Sequence, residues 1–150
     1  MNPSLTINAE DGTMQIEGCT TVIRAGLSSG DVLSALLQFH QRNIDHKNGY
    51  TWFSFHGLSF GGQPCGISMC FHFDRLTEGH WGVSLPYAEQ EGGWPTRKAI
   101  DEEIEFVREV LSKALFGSFS SGKERFTWGE VWSMFDPKGF LASSGLRYAA

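Results

Sequence analysis

The chain has 150 residues, with 12 basic and 17 acidic side chains and a formal net charge of -5. That length fits one domain, and 41% hydrophobic with 13% aromatic residues gives enough apolar surface for a core and argues against disorder. The acidic balance argues against non-specific binding to nucleic acid or anionic membrane, which needs a basic surface, and would suit a basic protein partner.

The opening MNPSLTINAEDGTMQIEG has neither a basic n-region nor an apolar h-region, so it does not read as a secretory signal. No stretch approaches the roughly 18 apolar residues of a membrane span. The cysteines, Cys19, Cys65 and Cys70, are odd in number and irregular in spacing, unlike a disulfide framework. The expectation is a soluble cytoplasmic protein with free thiols.

Leu5 and Ile7, then Met14 and Ile16, alternate around Asp11-Gly12, a β-hairpin pattern. Residues 20–24 are rich in β-branched side chains and could extend or follow the second strand. Ser28-Ser29-Gly30-Asp31 offers a helix start, and Val32, Leu33, Leu36, Leu37 and His40 predict an amphipathic helix over 30–42. Residues 50–56 are aromatic and β-forming. Residues 57–66 (GLSFGGQPCG) read as a turn-rich loop.

Cys65, Ile67, Met69, Phe71 and Phe73 then keep a strict period of two, with Ser68, Cys70 and His72 on the opposite face. Residues 80–85 follow as a strand with Trp81, Val83 and Leu85 on one face. With 50–56, these segments predict an antiparallel meander. Residues 86–95 (PYAEQEGGWP) form a polar loop carrying Trp94. Thr96 can cap a helix whose stripe is Ile100, Ile104, Val107, Leu111 and Leu115, with Gly117 as its C-cap. Phe126, Trp128 and Trp132 read as one face of a later strand, with Glu130 among them. Residues 136–139 are turn chemistry, and 145–148 a short last strand. The sum is a single α+β domain, an antiparallel β-sheet packed on one face by two α-helices.

No chemistry-bearing motif stands out. Cys65 and Cys70 sit five apart on a strand and point to opposite faces, and no C-x-x-C or H-E-x-x-H occurs, so no metal site is predicted. Cys70 and His72 share a face at i and i+2. That places their backbones nearly 7 Å apart at about 3.3 Å per residue, a poor dyad geometry. The carboxylates at Asp101, Glu102, Glu103 and Glu105 read as a solvated helix face. The glycines at 57–62 lack the following Lys-Ser/Thr of a phosphate loop. No cofactor is predicted.

What remains is surface recognition. Trp94 lies beside Glu89 and Glu91 and close to the acidic helix start, a pattern that suits a basic protein partner. Two readings of Trp94 stay open, an interface anchor or a ring folded back over the sheet edge. Asp136, Lys138 and Phe140 form a second loop candidate.

TINAEDGTMQIEG, the F-x-F and GHWGVSL strands, and FTWGEVWSMFDPKGFLASSGLRY together resemble bacterial immunity proteins of polymorphic toxin systems, across most of the chain. The resemblance implies a cytoplasmic, non-enzymatic inhibitor that binds a cognate protein toxin domain and occludes its active site. It carries no catalytic residues. The partner-binding candidates are then Trp94, Glu89, Glu91, Asp101, Glu102 and Asp136, presented by loops 86–96 and 134–145 of a monomer or small homo-oligomer. The alternative is a small enzyme or ligand-binding domain that uses the Cys70/His72 face, with His56 nearby.

Overall fold

The computed structural model describes residues 2–150. Its centre is a seven-stranded, wholly antiparallel sheet made of two meanders. The first contains β3 (His40–Asp45), β4 (Tyr50–Phe60), β5 (Gln63–His72) and β6 (Arg75–Val83). The second contains β9 (Lys123–Phe126), β10 (Gly129–Asp136) and β11 (Leu141–Tyr148). Between them run a small hairpin, β7 (Gln90–Glu91) and β8 (Trp94–Pro95), and the long helix α2 (Arg97–Leu115). The sheet order is β3-β4-β5-β6-β11-β10-β9, so the last strand docks against β6 and joins the two meanders at the middle.

One face of the sheet is covered by α2, by an N-terminal hairpin of β1 (Leu5–Ile7) and β2 (Met14–Ile16), and by the short helix α1 (Ser29–Ala35). The apolar residues of all three join the sheet in one core: Leu5, Met14, Ile16, Val32, Leu36, Phe55, Ile67, Met69, Val107, Leu111 and Leu146 are all buried. This is the expected α+β arrangement.

Helix α2 follows from its sequence. The Thr96 side chain accepts from the Ala99 N–H at 3.2 Å, the standard N-cap bond. The predicted stripe Ile100, Ile104, Val107, Leu111 and Leu115 is buried. The C-cap differs from expectation. Phe116, not Gly117, takes the left-handed conformation, at φ 60°.

Several boundaries move. The helix over 30–42 stops at Ala35, and a 3₁₀ turn over Leu37–Phe39 leads into β3. Residues 41–45 are exposed, and an edge strand with no buried face leaves no period-two signal. Residues 57–66 are not a loop. β4 and β5 run through them, with a bulge at 55–58 where Gly57 sits at φ 79°. Only Gly61-Gly62 turns, at φ 59° and 88°, the two positive angles a two-residue hairpin needs. Asp11-Gly12 instead lies inside a longer loop over 8–13, where the Gly12 N–H donates to the Asn8 carbonyl at 2.8 Å. Trp128 does not share a face with Trp132. It sits in the turn after β9, and its Nε1 donates to the Ala9 carbonyl at 2.9 Å, holding the N-terminal hairpin to the sheet.

Candidate functional site

The loop residues singled out in the sequence gather at one end. Gln90↔Pro95 and Glu91↔Trp94 pair across the turn Gly92-Gly93, and Trp94 is 75% exposed at its tip. Glu89 fastens the hairpin to the helix start, its carbonyl accepting the Thr96 N–H at 3.1 Å. Arg97 then ties that start to the β10–β11 turn. Its Nε donates to Asp101 at 3.0 Å, and its guanidinium stands 3.7 Å from the centroid of Phe135, next to Asp136. Glu89, Glu91, Asp101 and Glu102 are exposed. Asp136 is half-buried and accepts the Lys138 N–H at 3.0 Å. The first helical turn carries Arg97 and Lys98 rather than acids, so this end is mixed in charge.

Glu103, on the same helix, is turned inward. It accepts the Val83 N–H at 3.2 Å. Burial raises its carboxyl above the usual value, and the Val83 bond only partly offsets this.

Cys70 and His72 do not assemble. Cys70 is buried at 1% exposure, and burial pushes its thiol up, in the direction that disfavours the thiolate. The His72 ring is stacked on Tyr50 at 4.2 Å. No hydrogen bond joins the two among the described residues. No group of three or more His, Cys, Asp or Glu residues fit to hold a metal is found among them either. Among the described residues, no helix is long and apolar enough to cross a membrane.

In the sequence the sheet face opposite α2 is marked only by Cys70 and His72, with His56 nearby, and the groups that organise it stay hidden. Side chains alternate along each strand, so cross-strand partners share a face. Following the register gives two complete rungs. One runs Arg42, Ser54, Ser68, His80, Gly145, Trp132, Lys123 from edge to edge. The next runs Ile44, Trp52, Cys70, Glu78, Arg147, Glu130, Arg125. The first rung sets small and aromatic residues between cationic edges, and the second sets Glu78, Arg147 and Glu130 between Cys70 and the edge residue Arg125.

These side chains are organised. Trp52 meets His80 edge-on at 5.0 Å, and His80 meets Trp132 at 5.3 Å. His80 Nε2 donates to Glu78 at 2.7 Å. That bond holds the Glu78 carboxyl below its usual value against the opposing pull of desolvation, and Arg147 adds to it. Arg147 reaches Glu78 at 3.3 Å and Glu130 at 3.5 Å, and Lys123 reaches Glu130 at 3.6 Å. The Arg147 guanidinium lies 5.5 Å from the Trp132 ring centroid. Two hollows of about 460 and 260 Å³ adjoin at His80. Glu78 and His80 at i and i+2 were visible in the sequence. Their neighbours come from strands up to 69 residues away.

No family model matches the chain, and no curated protein matches it. One solved structure is similar in fold. It is described as "Rhs1-CT in complex with cognate immunity protein RhsI1". The match covers 96% of this chain and 86% of that chain, at 10% identity and a TM-score of 0.50.

Proposed function

We propose that this chain is a non-enzymatic binding protein of the immunity type, which neutralises a cognate protein toxin domain by occluding its active site. The observation that carries the reading is the fold likeness to a chain of a toxin–immunity complex over nearly the whole of both chains. The surface supports it. Two aromatic and charged regions stand exposed, one at the 86–96 loop and one on the helix-free face of the sheet, and interfaces favour Trp, Tyr and Arg.

In this reading Trp94 anchors the contact. Glu89, Glu91, Asp101, Glu102 and Asp136 meet basic side chains of the toxin domain, as the net charge of -5 favours.

The test is co-purification with the product of the gene adjacent to the one for this chain, assayed for toxicity, followed by titration. A 1:1 complex that abolishes toxicity is the expected result. A charge-reversed Glu89→Lys/Glu91→Lys variant should bind about tenfold more weakly, roughly 1.4 kcal/mol. Absence of any complex would end the immunity reading. Unchanged affinity in the folded variant would move the contact away from the loop.

A further inference from the structure

We infer that the helix-free face of the sheet is a second docking surface, and that its occupant is a carboxylate-rich segment of the protein partner. The inference rests on the immunity reading for the partner's identity but not for the surface's chemistry. A sheet face left to water ordinarily carries isolated polar side chains. This one carries Trp52, Trp132, His80 and Tyr50. Trp132 is only 7% exposed although no helix lies over it, because His80 and Arg147 pack against its ring. The aromatic rings are therefore held in place before any partner arrives, which lowers the ordering cost of binding.

The charge points to the occupant. Across the two rungs stand four cations, Arg42, Lys123, Arg125 and Arg147, against two carboxylates, Glu78 and Glu130. Both carboxylates are already paired, Glu78 with Arg147 and His80, Glu130 with Lys123 and Arg147. Arg42 and Arg125 are exposed and join no ion pair among the described residues. A chain with net charge -5 thus turns a cation surplus outward on one face. The hollow between the edges has a floor of Ser54, Gly66, Ser68 and Gly82, side chains small enough to admit a backbone. A carboxylate entering there meets Arg42, and a segment continuing across the sheet past His80 enters the adjoining hollow, which Lys123 lines, with Arg125 two residues further along the same edge strand. The net charge of -5 disfavours a long polyphosphate chain, which needs an extended basic surface, so a short protein segment fits better than a nucleic acid.

The experiment measures the affinity of the full chain for the product of the adjacent gene, inactivated by substitution if it is toxic. It compares the wild type, Arg42→Glu/Arg125→Glu, and a control with the same net charge, Arg24→Glu/Lys113→Glu. The expected result is a Kd raised at least about tenfold by the sheet-face pair and less than about threefold by the control. Thermal unfolding confirms that both variants fold. Equal effects of the two variants, or none from the sheet-face pair, would overturn this inference and leave the immunity reading standing. No binding by the wild type would overturn the immunity reading itself. In that event a glutamate-rich peptide is titrated onto the sheet face, and failure of the Trp52 and Trp132 signals to respond would remove the inference too. Binding of oligothymidine that Arg42→Glu/Arg125→Glu abolishes would reassign the face to nucleic acid.

Discussion

His80 and Trp132 belong to strands that do not pair with each other, yet their rings meet at 5.3 Å. The residue between them on the intervening strand is Gly145, paired with both. A Cβ there would stand 2.9 Å from Trp132 Cζ2, 3.0 Å from His80 Cδ2 and 2.5 Å from the Gly79 carbonyl. Glycine at this position is what lets the aromatic contact cross a whole strand.

Gly145→Ala should therefore destabilise the fold by about 2–3 kcal/mol, the scale of overpacking. The Gly79 carbonyl is backbone and cannot swing aside as a side chain would. Denaturant unfolding followed by tryptophan fluorescence measures it. A loss under about 0.5 kcal/mol would mean that the rings part without cost.

Tyr148 ties the last strand to the first hairpin. Its hydroxyl donates to the Gly12 carbonyl at 2.7 Å, over a separation of 136 residues. Burial pushes the Tyr148 phenol up, so the bond persists at any ordinary pH. Tyr148→Phe keeps the ring but leaves the carbonyl without its donor, and should cost about 1–3 kcal/mol. Amide exchange should accelerate selectively in β1 and β2. Acceleration spread evenly over the sheet would show that the bond is not what holds the hairpin.

Glu103 gives a pH dependence with a definite sign. Its folded carboxyl is raised by burial, so the contribution is present below the unfolded value and is lost as pH rises through the folded one. Ionised, the carboxylate is a partly buried charge. Glu103→Gln keeps an acceptor for the Val83 N–H without ionising. Its stability relative to the wild type should improve between pH 4 and pH 7. Urea unfolding at the two values decides it, and a difference independent of pH would refute the assignment.

The thiols offer a direct check on the enzymatic alternative. Burial pushes Cys65 up to about 12 and raises Cys70 as well, whereas Cys19 is only half-buried. A thiol reagent at pH 8 should label Cys19 first and the other two only on the timescale of unfolding. Fast labelling of Cys70 in the folded protein would revive a nucleophilic role for that face.

What the sequence disclosed and what it hid follow from range. Helix α2 was legible because its cap and stripe lie within one stretch of chain, and the stripe from Ile100 to Leu115 is buried as its spacing requires. The core face of β5 was legible for the same reason, through Cys65, Ile67, Met69 and Phe71. Phe73 breaks that pattern because it sits in the turn, at φ 46° and 73% exposed. The C-cap was misplaced because glycine is the usual left-handed residue, and here the exposed Phe116 takes the strain instead. The helix-free face was hidden for a different reason. Arg42, Glu78, Arg125, Glu130 and Arg147 look dispersed along the chain, and only the docking of β11 on β6 puts them in adjacent rungs. Glu89, Glu91, Asp101 and Glu102 were readable as surface acids, whereas Trp94 stayed open between an anchor and a ring over the sheet edge, and its 75% exposure shows a ring turned to solvent. The joining of these residues through Arg97 and Phe135 was not readable.

The strand order has a consequence for synthesis. β11 is the latest strand in the chain, yet it occupies an interior position between β6 and β10. While a ribosome is still making it, the first meander has an open edge along β6, and β9 and β10 have only each other. Neither rung of the helix-free face exists until Gly145 and Arg147 have left the exit tunnel. Premature termination before Leu141 thus removes the seam of the sheet rather than trimming an end. Any contact that depends on that seam is available only after β11 has been made.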